Sequence, residues 1–372
     1  MKFNSNYIDG VKFACQYYVQ GRTKNRARFP KWEPCMSNYL FKRLIAMPFL
    51  VLGIVTMAFA LTTITKGDPL TSIVAEQQMN NPEVVAAAKA KWGLDRSLPE
   101  RYVIYLKNLL SGDMGTSFVT KRPVSTDLMA RLPATMELVL SAMVLGSVVG
   151  ILLGILAAYY RDSAIDHVAR LFALLGSSLP VFWLGLAVLF VFSVQFELLP
   201  GPGRLDPRMA PPAAITGFMT IDSLLAGDFA AFKNALAHLI LPATVLGWTV
   251  AGTISRLVRA NMLDVIGREF ILTARAKGAG ELRVVFRHAL RNILVPVLTV
   301  ISYSFAYLIT GAVLTETIFA WPGMGSYAVE AARSLDFPAI IGVTIVGGVM
   351  FLITNLLTDV AYVLANPRVR LG

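Results

Sequence analysis

Thr273-Ala274-Arg275-Ala276-Lys277-Gly278, followed by Arg283, Arg287, His288 and Arg291, gathers the groups best able to hold a partner. Guanidinium and ammonium groups only donate hydrogen bonds, and arginines at i, i+4 and i+8 fall on one helical face. Such a row grips phospholipid head groups or another protein. The small residues within Thr273–Gly278 let a second backbone come close, and Gly278 supplies the φ > 0 turn that reverses the chain. Leu282, Val285, Phe286, Ala289 and Leu290 recur at i, i+3, i+4, i+7 and i+8, which predicts an amphipathic helix lying along a membrane. No nucleophile–base pair or metal cluster is found in the apolar segments, and no GxxxxGK[ST] phosphate loop occurs anywhere. The chain is expected not to be an enzyme, with no catalytic and no metal-binding residues.

The elements that must position this loop are set by composition. Of 372 residues 55% are hydrophobic and 15% charged, and the mean hydropathy is +0.60. A soluble chain of this length would need far more polar surface, so the expected fold class is an all-α polytopic membrane protein. About 20 apolar residues of helix cross a bilayer. Six spans are expected: 44–65, 138–160, 171–196, 239–259, 292–315 and 339–361. The fourth reaches bilayer length if Arg256 and Arg259 snorkel to the interface. Pro180 and Pro242 lie inside spans, where they free carbonyls and kink the helix. The loop of interest, 262–291, joins spans four and five within a core of residues 134–365.

Orientation follows from Lys and Arg near the spans. Nine lie in 1–43, two in 161–170, eight in 256–291 and two in the tail 366–372, against four in 197–237 and 316–338 together. Both termini and the basic loop are therefore expected to be cytoplasmic. The net charge of +11 is mostly this topology signal and does not indicate nucleic-acid binding. Residues 1–43 form a basic leader suited to anionic lipid. Ala58-Phe59-Ala60 is AxA-like, but its apolar run is longer than a signal-peptide core, and no cleavage is expected. Cys15 and Cys35 fall in the leader, where thiols stay reduced.

The loop at 66–133 carries nine basic and seven acidic residues and reads as a small helical region outside the membrane. Asn81-Pro82-Glu83 and Ser97-Leu98-Pro99-Glu100 are helix starts, and Gly93 and Gly112 are stops. Val103, Leu106, Leu109 and Leu110 form a face that must pack on something. The 197–237 loop, with its PGPG and Ala210-Pro211-Pro212, reads as irregular. Glu137, Glu316 and Asp359 sit at segment edges, and His167, His238 and His288 in or beside loops. A proton- or sodium-coupled transporter would need such groups, or broken helices, near the bilayer midplane.

Thr273–Gly278 followed by ELRVVFRHALRNILVP resembles the coupling loop of inner-membrane subunits of bacterial ABC importers, in the dipeptide/oligopeptide/nickel branch. The general motif of that superfamily reads E-A-A-x3-G-x9-I-x-L-P. This chain has Leu272, Thr273 and Ala274 at its start and His288, Leu290 and Arg291 near its end, as in the peptide-branch variant. Further pieces follow in the same order: GDP at 67–69, LDRSLPERY at 94–102, GDMGTSF at 112–118, RLPAT at 131–135, ETIFAWPGMG at 316–325 and NPRVR at 366–370. The resemblance runs from about residue 39 to the end. It implies a permease that forms half of a translocation path and pairs with a second, homologous permease. Two ATPase subunits or domains would use ATP and Mg on its behalf, since it binds no cofactor itself. A periplasmic or lipid-anchored binding protein would deliver the solute. By the same resemblance, Thr273–Gly278 seats in a groove of the ATPase. Glu316, Trp321, Pro322, Gly323 and Gly325 form either a rigid turn or the outer mouth of the path. Polar residues in the spans, Ser177, Ser178, Thr310 and Asn355, are candidates for the path or for helix–helix contacts. Peptide, nickel, glutathione and sugar systems all use this branch, so the solute stays open.

Overall fold

A computed structural model describes residues 35–64, 81–92 and 96–365. The expectations for the leader before Cys35, for GDP, for the first residues of LDRSLPERY and for NPRVR lie outside the described residues. The described residues from 43 onward form one compact unit. Among the described residues the secondary structure is helical, with one isolated bridge between Thr116 and Pro123.

In chain order the helices are α1 (Cys35–Ile64), α2 (Pro82–Trp92), α3 (Leu98–Leu110), α4 (Val124–Tyr159), α5 (Ala164–Ser178), α6 (Val181–Leu189), α7 (Met219–Leu225) and α8 (Phe229–Ile266). After them come α9 (Glu269–Ala276), α10 (Glu281–Arg283), α11 (Leu290–Gly311), α12 (Val313–Ile318), α13 (Met324–Arg333) and α14 (Phe337–Ala365). Two π-helical turns, Phe190–Gln195 and Val284–Ala289, extend α6 and α10. Among the described residues, five helices are long and apolar enough to cross a membrane, or six if α5 and α6 make one broken span.

The centre of the bundle is the α4–α8 pair. Gly146, Gly150 and Gly154 recur every four residues along α4 and face Gly247, Ala251 and Ser255 of α8. A Cβ on Gly150 would stand 2.8 Å from the Ala251 carbonyl oxygen and 2.9 Å from the Ile254 Cβ. The two backbones therefore touch, which is how helices gain dispersion energy where lipid removes the hydrophobic drive. Around this seam Leu138, Ala142, Leu246, Val250, Ile254 and Val258 are buried and meet Ile293, Val297 and Leu308 of α11.

Several expectations are corrected. The third span is not a straight run over 171–196: α5 ends at Ser178, Pro180 caps a new helix, and the axis turns by 109°. Pro180 has no N–H and biases Leu179 to an extended angle (ψ 135), so it breaks the helix where a kink was expected. Pro242 instead sits inside an unbroken α8. The 197–237 loop is irregular only as far as Phe218, because Asp222 accepts from Thr216 N, Thr216 Oγ1 and Gly217 N and so organises α7. In α3, Leu106 and Leu109 pack against Val55, Ala58, Ile341 and Ile345 of α1 and α14, whereas Val103 and Leu110 are exposed. The starts of α2 and α3 form as expected, with Glu83 N donating to Asn81 Oδ1 and Ser97 N to Glu100 Oε2.

Candidate functional site

The basic loop is built outward from the end of α8. After Gly267 the chain turns into α9, whose Ile271 is fully buried among Val284, Val285 and Ala289. Thr273, Arg275, Ala276 and Lys277 are exposed, and Ala274 is half-buried. The helix ends in a paired closure: Gly278 N donates to Arg275 O (2.9 Å) and Ala279 N to Ala274 O (3.1 Å). That pattern needs a left-handed residue after the cap, and Gly278 has φ +81. Arg275 then clamps the returning chain, donating from Nε and Nη2 to the two carboxylate oxygens of Glu281 (2.9 and 3.1 Å). The product is a rigid knob: one buried isoleucine beneath, small side chains on top and basic residues beside it.

The expected stripe on the second helix is corrected. Leu282 is 78% exposed and Phe286 46%, while Val284, Val285 and Ala289 face the core. The cause is the π turn: an i→i+5 ladder brings Val284 and Ala289 onto one face and rotates Leu282 and Phe286 outward. Arg283 and Arg287 remain exposed, and His288 is half-buried.

At the opposite end of the bundle the motif segments GDMGTSF, RLPAT and ETIFAWPGMG converge. Glu316 is fully buried, accepting from Thr135 Oγ1 (2.6 Å) and Ser326 N (2.9 Å). Burial raises its pKa above the ordinary carboxylate value, against the hydrogen bonds that lower it. Trp321 Nε1 donates to Ala134 O (2.8 Å), Met324 N donates to Thr135 Oγ1 (2.8 Å), and a Cβ on Gly323 would collide with the Glu316 carboxyl. Trp321, Gly323 and Gly325 are thus buried, as Glu316 is, while Pro322 between them is exposed. The geometry is that of a brace between RLPAT and the turn. Beside it, Ser117 and Val119 bind Asp336, and Asp127 receives Thr120, Tyr327 and Arg122.

Acids expected at segment edges lie deeper. Glu137 is inside α4, 3% exposed, and pairs with Arg204, whose guanidinium also lies over the Trp321 ring at 5.4 Å. Thr220 N and Oγ1 complete its partners (2.8 and 2.7 Å). Asp166, absent from the expectations, has no exposure and is held bidentately by Arg259 (both 2.7 Å) with Arg170 at 3.3 Å. Arg259 therefore does not snorkel. The alternation of charge in Asp162, Asp166, Arg170 on one side and Arg259 on the other was a usable signal, hidden by the placing of 161–170 in a loop. His167 and His238 likewise lie within helices, their Nδ1 atoms bonded to Ser163 O and Asn234 O.

The path candidates come from three helices, α5, α11 and α14. Ser177 and Ser178 are exposed at the end of α5, and Asn355 is half-buried on α14. Thr310 and Asp359 lie in helices, but their side chains are outside the described residues.

A bundle of membrane-length helices, a small-residue knob on a rigid stem and a braced opposite end define a multi-pass transport subunit. Residues 150–371 match the family of binding-protein-dependent transport system inner membrane components, and 36–139 match its N-terminal domain. The chain is 39% identical over 335 residues to the di/tripeptide transport system permease protein DppB of Pseudomonas aeruginosa, covering 90% of this chain and 99% of that one. It is 39% identical over 337 residues to the dipeptide transport system permease protein DppB of Escherichia coli K12 (90% and 99%). For the DppB of Haemophilus influenzae the identity is 40% over 335 residues (90% and 100%). The chain belongs to the family of binding-protein-dependent transport system inner membrane components. It is a permease subunit of an ABC importer, a multi-pass inner-membrane protein and not an enzyme.

Proposed function

We propose that this chain is one permease of an ATP-driven importer of peptides. It pairs with a second, homologous permease to enclose the path. Two ATPase subunits or domains dock on the cytoplasmic side, and an extracytoplasmic binding protein delivers the peptide. ATP and Mg are used by the ATPases. The α9 knob, Thr273–Gly278, is the part gripped by an ATPase, with Arg283, Arg287 and His288 beside it. Both termini and this loop face the cytoplasm, as the Lys and Arg balance supports. The turn at 316–325 then belongs to the outer face, where the exposed Pro322 is available to the binding protein.

The observation that carries this reading is the exposed small-residue top of α9, fixed from below by Ile271 and from the side by the Gly278 closure. An interfacial lipid contact has no use for small residues held this rigidly. The relatives' names supply the peptide: three of them are di- or tripeptide permeases. Purification from native membranes is expected to bring down a second permease and ATPase subunits, with ATPase activity rising when peptide-loaded binding protein is added. A chain that purifies alone and transports in vesicles without ATP sinks the proposal.

A further inference from the structure

Arg256 has no acidic partner among the described residues. Among the described residues its polar partner is Ser177, whose Oγ accepts from Nη1, while Arg259, one turn further along α8, is held by Asp166. The two arginines part: Arg259 stays level with Asp166, whereas Arg256 leans back along the helix to Ser177. The levels follow from the antiparallel contacts of α5 and α8, in which Gly176 meets Trp248, Ala173 meets Gly252 and Asp166 meets Arg259. Ser177 Oγ also donates back to Ala173 O and Leu174 O (3.0 and 3.1 Å), so it stands level with about residue 252, given a rise of about 1.5 Å per residue. The Arg256 guanidinium is thus carried about a turn away from the basic loop and into the span, the direction in which helical side chains lean, toward the N-terminus. It does not reach for the nearer interface.

The face that carries it is polar and open. At about 100° per residue, Gly247, Ala251 and Ser255 look toward α4, and Trp248, Gly252 and Arg259 toward α5. Thr249, Thr253 and Arg256 share a third face, on which Thr253 and Arg256 are exposed, and exposed Ser177 borders it from α5. An unpaired guanidinium turned to hydrocarbon is costly, and intramembrane cations face water or a polar partner. The strip therefore faces the aqueous path.

Resting on the peptide-importer reading, we propose that Arg256 is a substrate contact in the path, pairing with the free carboxylate of the peptide in transit, with Thr249 and Thr253 beside it. A guanidinium fork matches a carboxylate bidentately. Ser177, which accepts one hydrogen bond from it, is the partner that the peptide displaces.

The test uses the complete importer, with its second permease, ATPases and binding protein, in vesicles, and radiolabelled dialanine as the probe. Both native cysteines are first replaced. Thr253→Cys is expected to react with a membrane-impermeant thiosulfonate, and Arg256→Gln to lower dialanine uptake about ten- to a hundredfold, the loss from deleting a charge-assisted hydrogen bond. Arg256→Lys is expected to recover part of that loss, and Ser177→Ala to cost less than Arg256→Gln. An unreactive Thr253→Cys variant places the strip against lipid or a partner and overturns the proposal. So does equal loss from Ser177→Ala and Arg256→Gln, which makes Arg256 a tether to α5, or full uptake by Arg256→Gln. If the parent complex hydrolyses ATP but imports no dialanine while the Thr253→Cys variant still reacts, the peptide reading has failed and the carboxylate contact falls with it.

Discussion

Replacing Gly278 by alanine isolates the cost of one backbone angle. A Cβ there would meet nothing within 4 Å, but φ is +81. An L-residue held left-handed costs about 1–2 kcal/mol, which lowers the population of the closed turn about 5- to 30-fold. Gly280, two residues on, is the internal control. A Cβ there also meets open space, but its φ is −63 and ψ 151, ordinary for any residue. Hydrogen exchange of the purified importer, followed on the peptide covering 272–283, reads the closure through the Gly278 and Ala279 amides that bond to Arg275 O and Ala274 O. Gly278→Ala is expected to speed exchange by that factor and to lower peptide uptake per ATP hydrolysed, with Gly280→Ala within about twofold of the parent. Equal exchange and equal uptake for the two variants would refute the claim that the left-handed turn holds the knob in shape.

Asp166→Asn should lower the thermal stability of the complex, because it leaves Arg259 half-desolvated without its anion; breaking such a pair costs about 3–5 kcal/mol. The Asp166→Leu/Arg259→Met double variant should recover much of that loss, and a double variant as unstable as the single would count against the pair. Gly150→Ala forces a Cβ against the Ala251 carbonyl oxygen at 2.8 Å and is expected to cost about 1–3 kcal/mol by overpacking, read as a lower melting temperature; no change would mean that the seam is looser than described. For Glu316 the sign is set by its raised pKa. A carboxyl whose folded value lies above its unfolded one contributes stability below the unfolded value and loses it as pH rises through the folded one. Glu316→Gln should therefore match the parent in acid and become relatively more stable as pH rises; the opposite trend would show that the ionised form is the one the brace prefers.

Much of the fold was legible because most spans are built on charge-free apolar runs near bilayer length, and the helix starts at Asn81 and Ser97 announce themselves by their capping residues. The left-handed role of Gly278 was equally readable. What stayed hidden depends on partners distant in the chain. The glycines of α4 acquire meaning only when Gly247, Ala251 and Ser255 of α8 are seen opposite. Asp166 looked like a loop acid because Arg259, 93 residues away, was assigned to the interface. Glu316 and Trp321 looked like a possible mouth because the donors that bury them, Thr135 and the turn itself, come from another motif. The π turn at Val284–Ala289 has no periodicity of its own, so an ideal helix put Leu282 and Phe286 on the wrong face.

The central claim is that the top of α9 is the contact through which ATP hydrolysis reaches this permease. A photo-crosslinking residue placed at Ala276, exposed at the end of α9, tests it in the native membrane. The expected adduct is with an ATPase subunit, its yield changing between nucleotide-free and ATP-bound states, whereas the same probe at Pro322 gives no ATPase adduct. An adduct between position 276 and the binding protein, or with lipid alone in every nucleotide state, would contradict the account.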